Sequence, residues 1–129
     1  MNKIIVEVSI GELLDKISIL EIKKEKIKDT EKLKFINNEL SILKDQLENN
    51  IKYDDKLKKL YQSLKEINSK LWLIEDEKRL CEREKDFGDK FIKLSRDVHF
   101  LNDDRAKIKL EINNHTGSKI KEIKEYTKY

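Results

Sequence analysis

The chain of 129 residues is long enough for one domain whose core needs no disulfide or metal ion to hold it together. Charged residues make up 43% of the chain, proline is absent and there are only three glycines, which argues against turn-rich β folds and favours long helices with solvated faces. The 29 basic and 26 acidic residues nearly cancel to a formal +3, so the composition gives no strong electrostatic footprint for nucleic acid.

Residues 1–8 predict an extended arm. Apolar side chains alternate at Ile4, Val6 and Val8, a period of two that is typical of a strand. Because a lone strand must pair its backbone groups, we expect the arm either to pair with the same arm of a second chain or to lie along a helix groove. Its apolar stretch is too short for a signal peptide or a membrane span, and together with the single Cys81 this favours a cytoplasmic protein.

The first helical pair is predicted over residues 9–28 and 31–48. Ser9 and Glu12 fit a capping box, in which each side chain satisfies an exposed amide at the helix start. Asp29 suits the cap between the two helices. Apolar residues step by threes and fours along both helices, at Ile10, Leu13, Ile17, Leu20 and Ile27, then at Leu33, Ile36, Leu40, Leu43 and Leu47.

A second pair is predicted over residues 55–86 and 89–114. Asn49 and Asn50 suit a left-handed turn before it, and Gly117 suits a left-handed cap after it, leaving residues 118–129 as a tail. Helix three carries the most regular apolar seam, at Leu57, Leu60, Leu64, Ile67, Leu71 and Ile74. Beyond that seam a shifted row takes over, at Leu73, Leu80 and Phe87, and Gly88 marks the turn to helix four.

Four helices with such seams predict an all-α fold. We expect two antiparallel helical hairpins that form an elongated, coiled-coil-like four-helix bundle, a single domain over residues 1–129. Helices one and two would be about 27 Å long and helices three and four about 42 Å, so the second hairpin overhangs the first by about three turns. Its apolar seam then needs cover, and the simplest cover is a second copy, so we predict a homodimer.

Polar residues gather on one face of helix three. Trp72, Glu75, Arg79 and Glu82 step by three, four and three, which places them side by side. One interpretation is an aromatic lid over a surface ion-pair ladder. The other is an aromatic wall with an arginine for an anionic ligand.

Helix four carries a second polar cluster, Asn102, Arg105 and Lys109, with Arg96 upstream. Arg105 occupies a position that the apolar seam would give to leucine. A guanidinium there must meet a carboxylate or a ligand anion, because an unpaired buried charge is costly. The partner is either an acidic residue of helix one or helix three, or an anion bound between helices three and four.

Helix one carries Glu12, Asp15 and Lys16 on its polar side. We expect a solvated face there, although the carboxylates become partners for Arg79 or Arg105 if helix one packs on the second hairpin. The sequence has no Gly-rich phosphate loop, no paired CxxC and no His pair at metal-binding spacing, so neither a cofactor nor a metal site is expected.

Four stretches together resemble an uncharacterised bacterial and phage family of small helical proteins, a numbered domain of unknown function: "SIGELLDKISILEIK", "LWLIEDEKR", "FIKLSRDVHFLNDDRAKIKLEIN" and "TGS". The resemblance covers nearly the whole chain and includes the polar clusters on helices one, three and four. It implies an association with glycan and lipopolysaccharide biosynthesis proteins, near or fused to which some members occur. No activity is established for that family, so the resemblance assigns no catalytic residue.

Two hypotheses follow from these patterns. The first, which we favour, is a non-enzymatic, dimeric interaction or accessory protein with a protein partner in a bacterial or phage setting. The second is a small enzyme or binding protein whose arginines hold a phosphosugar, nucleotide or dicarboxylate between helices. Pairing of Arg79, Arg96 and Arg105 with internal carboxylates favours the first, whereas convergence of two of them on an open pocket beside Trp72 favours binding.

Overall fold

The computed structural model describes residues 2–129 and confirms the all-α fold. Its four helices are α1 (Ile10–Lys26), α2 (Thr30–Asn50), α3 (Asp55–Glu84) and α4 (Asp89–Thr116). The described residues form no strand, and the segments before α1 and after Ser118 have no regular secondary structure. None of the four helices is long and apolar enough to cross a membrane.

Side-chain caps fix the starts of three helices. The Ser9 hydroxyl accepts a hydrogen bond from the Glu12 amide (3.0 Å), and Asp29 and Asp54 cap α2 and α3 in the same way. Only this half of the predicted capping box forms. The Glu12 carboxylate instead accepts a hydrogen bond from the Lys109 ammonium at 2.7 Å, because α4 brings a cation within its reach.

Residues with a left-handed backbone conformation lie only partly at the predicted positions. Gly117 ends α4 with φ of 68°, which confirms that prediction. The predicted left-handed turn at Asn49 and Asn50 is wrong, since α2 remains helical through both residues. The other left-handed residue is Lys85, with φ of 54°, whose amide closes the last turn of α3. Gly88 has φ of −81° and caps the start of α4.

Helix α1 lies at the centre of the bundle and contacts each of the other three helices, whereas α2 approaches α1 alone. The start of α1 meets α4, where the Gly11 amide donates to Asn113 Oδ1 (2.7 Å). The end of α1 meets α3, where Glu21 pairs with Lys65 (3.3 Å). Helix α1 therefore passes across the hairpin formed by α3 and α4.

The hydrophobic core fills the space between α1, α2 and one half of the α3–α4 hairpin. Its buried residues are Leu13, Leu14, Ile17, Leu20, Ile36, Leu40, Leu57, Tyr61, Leu64 and Ile112. On α3 the buried row differs from the predicted seam, since Tyr61 and Asn68 are buried while Leu60 and Ile67 are only half-buried. The crossing of α1 explains the difference, because it covers a face of α3 adjacent to the seam.

The far half of the α3–α4 hairpin extends beyond this core. The predicted shift of the apolar row to Leu73, Leu80 and Phe87 is wrong as a description of the buried face, because all three side chains are exposed. The buried face instead continues the seam that ends at Ile74, as the burial of Cys81 shows, because α3 keeps the same face against α4. The shifted row therefore leaves apolar side chains on the outside of the hairpin.

Candidate functional site

A buried carboxylate on α1, Asp15, is the centre of the polar interior. Only 2% of the residue is exposed. Its oxygens accept hydrogen bonds from Arg105 through Nε (3.0 Å) and Nη2, and from Asn68 Nδ2 (2.8 Å). The solvated face expected for α1 is therefore wrong at this position, because α1 packs on the second hairpin. We call the buried group the Asp15 network; its members are Asp15, Ser18, Asn68, Arg105 and Lys109.

Ser18 and Asn68 complete the hydrogen bonding on the α3 side. Asn68 Nδ2 also lies 2.7 Å from Ser18 Oγ, and that hydroxyl donates to the Asp15 carbonyl oxygen at 2.7 Å. Ser18 follows Asp15 by three residues, so the helix places both on the face toward α3. Within residues 2–129 every buried side-chain nitrogen and oxygen has a hydrogen-bond partner. The network is therefore fully satisfied by the chain itself.

Lys109 joins the network to the chain terminus. Its largely buried ammonium donates to Glu12 (2.7 Å) and to Glu122 (3.0 Å), and it lies 3.8 Å from Asp15 Oδ2. Burial lowers the pKa of Lys109, but the hydrogen bonds to Glu12 and Glu122 outweigh it, so the net pKa is raised. This contact ties the C-terminal tail, residues 118–129, to α4.

The Asp15–Arg105 pair remains ionised at neutral pH. Burial raises the pKa of Asp15, but hydrogen bonds from Arg105 and Asn68 and the charges of Arg105 and Lys109 outweigh it, so the net pKa is lowered. The hydrogen bond to Asp15 raises the pKa of Arg105. Because general acid–base catalysis requires a pKa near the working pH, this pair is suited to holding helices rather than to moving protons.

No metal site accompanies the network: among residues 2–129, no three His, Cys, Asp or Glu side chains converge where they could hold a metal ion.

The start of α1 is fixed against α4 by backbone donors. The Gly11 amide donates to Asn113 Oδ1, and the Ile10 amide lies 3.3 Å from Ser118 Oγ. A Cβ on Gly11 would lie 2.6 Å from the Lys109 carbonyl oxygen, closer than such atoms approach. The close crossing that places Asp15 beside Arg105 therefore requires glycine at position 11.

An open groove of about 380 Å³ lies beside the network, between α1, α3 and α4. We call it the Trp72 groove. It is lined by Ile19, Ile22, Asn68, Leu71, Trp72, Glu75, Asp76, Arg79 and Arg105. Trp72 is half-buried, while Glu75, Asp76 and Arg79 are exposed. The groove thus combines aliphatic and aromatic walls with charged residues along α3.

The charges of the groove do not favour a simple anion. Arg105 has already used two of its five N–H donors on Asp15, which leaves three. Within the described residues, Glu75, Asp76 and Arg79 form no ion pair with another side chain. Two arginines therefore face two carboxylates, with the charge of Asp15 beneath them. This balance suits a group that carries both signs of charge around an apolar body.

The structure divides the ten predicted site residues into three sets. Four line the Trp72 groove: Trp72, Glu75, Arg79 and Arg105. Three belong to the buried ion pairs: Glu12, Asp15 and Lys109. Three lie outside both: Lys16 is exposed on α1, Asn102 is half-buried on α4 and Arg96 stacks its guanidinium 5.9 Å from the Phe100 ring. Arg79 and Arg105 thus line the open groove beside Trp72, which is the arrangement that favours binding there, while Arg105 also pairs with the internal carboxylate of Asp15. Arg96 lies elsewhere.

Sequence reasoning missed several polar residues. Asn68 lies four residues after Leu64 in the same buried row of α3, which was a readable signal. Tyr61, in that row, donates a hydrogen bond to Glu21 across to α1. Burial and the Glu21 carboxylate together raise the pKa of Tyr61. Tyr61 and Asn68, the polar residues of the buried row of α3, therefore form contacts with α1.

Comparison with known protein families matches residues 4–129 to the family of unknown function DUF6165. The chain belongs to this family. The DUF6165 match spans all four helices and therefore includes the Asp15 network and the Trp72 groove. Neither a curated protein nor a solved structure gives a significant match.

Proposed function

We propose that this DUF6165 protein is a non-enzymatic helical interaction protein whose Trp72 groove binds a segment of a partner protein. The observation that carries the proposal is the composition of the groove, in which Trp72 and Arg79 stand beside aliphatic residues with charges of both signs around them. Binding hot spots in protein interfaces are enriched in Trp and Arg, and they have an apolar centre with a polar rim.

The lining also defines the chemistry of the partner segment. Ile19, Ile22 and Trp72 offer contact to an aliphatic or aromatic side chain. Arg79 has no ion pair within the described chain, so a carboxylate of the partner can bind it bidentately. Glu75 lies one helical turn away and suits a basic group. The expected ligand is therefore an apolar residue flanked by one acidic and one basic residue.

The Asp15 network supports a binding role because it holds the walls of the groove. Arg105 belongs to both features, since it lines the groove and pairs with Asp15. The network joins α1 to α3 and α4, so the groove is preformed rather than assembled by the ligand. Preorganised side chains lose less entropy on binding, which favours affinity.

The single tryptophan of the chain makes the proposal testable, because intrinsic tryptophan fluorescence reports on this groove alone. Peptides selected from a random library on the wild-type protein should shift the Trp72 emission on binding. We expect Arg79→Glu to weaken their affinity by about tenfold or more, since hot-spot truncations cost more than about 1 kcal/mol. Lys59→Glu makes the same charge change at an exposed position of α3 and is the matched control.

The result that would overturn the proposal is equally specific. If selected peptides bind without changing the Trp72 emission, or bind Arg79→Glu and Lys59→Glu equally well, the groove is not the docking site. Circular dichroism of each variant separates this outcome from unfolding.

A second candidate is a small ligand with an anionic group, which Arg79 and the remaining donors of Arg105 could bind, with Glu75 and Asp76 facing a positive group of the same ligand. Thermal shift against phosphosugars, nucleotides and dicarboxylates tests it. A ligand at 100 times its dissociation constant adds about 2.7 kcal/mol of stability. A shift that Arg79→Ala abolishes, with no peptide binding, would replace the interaction function by this one.

We also propose an oligomeric state and a cellular location for the protein. Residues 1–129 act as one domain and form a homodimer in the cytoplasm of a bacterium or of a phage-infected cell, with the four helices packed as an elongated, coiled-coil-like bundle. Support comes from the exposed apolar row of the hairpin and from the one unpaired cysteine, Cys81. Light scattering should give twice the 15.5 kDa of a single chain.

A further inference from the structure

The N-terminal arm is an apolar segment whose described residues, 2–8, are all exposed. Ile4 is 89% exposed and Ile5 80%, and Val6 is also exposed. The arm therefore does not lie in a helix groove of its own chain, and its predicted contact with a second chain or with a helix groove stays a prediction. Lys3 and Glu7 flank the apolar residues. In an extended segment Lys3, Ile5 and Glu7 point to one side and Ile4, Val6 and Val8 to the other, so Ile5 stands between two opposite charges on its own side.

The outer face of the α3–α4 hairpin carries a groove of complementary character. This hairpin groove, of about 410 Å³, is lined by Lys70, Leu73, Ile74, Asp97, Phe100 and Leu101. Leu73 is 52% exposed and Phe100 is also exposed. Lys70 and Asp97 are the two charged members, and Asp97 is otherwise held only by an exposed i,i+4 pair with Lys93.

We propose that the arm of one copy docks into the hairpin groove of a second copy, with Ile5 between Leu73 and Phe100, Lys3 at Asp97 and Glu7 at Lys70. The inference rests on the homodimer of the proposed function and names its contact. A reciprocal exchange of arms would satisfy two-fold symmetry and cover both apolar grooves.

The spacing of the charges agrees with this pairing. Asp97 lies eight residues after the start of α4, and Lys70 lies fourteen residues before the end of α3. The two are therefore offset by six residues, or about 9 Å along the hairpin. With helix axes about 9 Å apart, the diagonal is about 13 Å. Four steps of an extended chain, from Lys3 to Glu7, also cover about 13 Å.

The structure does not place the arm of the same chain in this groove, since Ile4 is 89% and Ile5 80% exposed. The arm leaves α1 beside the end of α4, where the Ile10 amide meets Ser118. Lys70 lies level with residue 103 of α4, about 20 Å from the helix end at Thr116. Glu7 is three residues from Ile10, about 10 Å of extended chain, so a contact with Lys70 of the same chain would need both side chains fully extended. A second copy is not bound by this limit.

A charge-exchange experiment tests the docking. One variant carries Lys3→Glu and Glu7→Lys, and the other carries Lys70→Glu and Asp97→Lys. Each alone should raise the dimer dissociation constant at low salt by about tenfold or more, because two-fold symmetry counts every substituted pair twice. The combination of all four restores opposite charges and should return the constant to near the wild-type value. Sedimentation equilibrium measures all three.

A disulfide experiment gives an independent readout. In a Cys81→Ala background, one chain carries Ile5→Cys and another carries Leu73→Cys. Mixing the two should give a disulfide-linked pair of different chains, which mass spectrometry identifies. The matched control replaces Leu73→Cys by Glu66→Cys, an exposed position of α3 outside the hairpin groove, and should cross-link much less.

The outcomes separate the inference from the proposed function. A monomer at all concentrations overturns both the homodimer and the docking. A dimer that ignores every charge exchange and gives no selective cross-link overturns the docking but leaves the homodimer intact. A cross-link within one chain that carries both Ile5→Cys and Leu73→Cys, without dimer formation, would place the arm on its own hairpin and overturn the inference.

Discussion

Replacement of Arg105 by methionine tests whether the Asp15 network holds α1 to the hairpin. Arg105→Met removes two hydrogen bonds from a carboxylate whose residue is 2% exposed. Breaking a buried ion pair from one side costs about 3–5 kcal/mol. Asn68 still donates at 2.8 Å and Lys109 stays at 3.8 Å, so we expect the low end, about 3 kcal/mol. The melting temperature should fall by about 10 °C.

Replacement from the opposite side should cost less. Asp15→Asn keeps the shape of the side chain, and the Arg105 side chain, 27% exposed, can turn toward the Trp72 groove and water. We expect about 1–2 kcal/mol for this change. The double variant should be more stable than the sum of the two single effects predicts, by at least about 1 kcal/mol, because the second substitution removes a charge already left unpaired.

Urea unfolding followed by circular dichroism measures these free energies if all variants share one m value. The pKa of Asp15 is lowered in the folded state, so the pair contributes stability that is full above the ordinary value of 3.8 and is lost as the pH falls through the lower folded value. The difference between wild type and Arg105→Met should therefore shrink in acid. A cost below about 1 kcal/mol at neutral pH, or strict additivity, would refute the reasoning.

Three further predictions concern the contacts around α1. Asn113→Ala leaves the Gly11 amide unpaired and should cost about 1–3 kcal/mol in urea unfolding, whereas Asn114→Ala, at the exposed neighbouring position, should cost clearly less; equal losses would contradict the role of the Asn113 Oδ1 atom. Gly11→Ala places a Cβ 2.6 Å from a carbonyl oxygen and should lower the free energy of unfolding by about 1–3 kcal/mol, although alanine has the better helix propensity. Gly88→Ala is the control and should change the free energy of unfolding little, because the nearest atom to its Cβ is 3.4 Å away. Burial and Glu21 raise the pKa of Tyr61 in the folded protein, so above about pH 10 the phenol ionises only in the unfolded chain and the free energy of unfolding falls. Tyr61→Phe should therefore reduce the fall in the free energy of unfolding above about pH 10. An unchanged alkaline profile would count against this contact.

The sequence alone determined the fold class and most helix ends of this protein. Periods of three and four among apolar residues, without proline, predict four helices whatever their arrangement, since amphipathic periodicity is local. Capping by Ser9, Asp29 and Asp54 and the left-handed Gly117 are equally local, because each depends on groups within a few residues. The polar cluster on α3 was also readable from spacing, and three of its members line the groove, namely Trp72, Glu75 and Arg79.

Only the tertiary structure decided which charges meet. The spacing indicated that Arg105 needed a partner, but it could not choose between a bound anion and Asp15, ninety positions away in the chain. Likewise, Asp15 looked solvated because helical periodicity reports one face, while α1 touches helices on several sides. The outward position of Leu73, Leu80 and Phe87 was misjudged for the same reason. A local pattern fixes which residues share a face, and the crossing of helices distant in sequence decides what that face contacts.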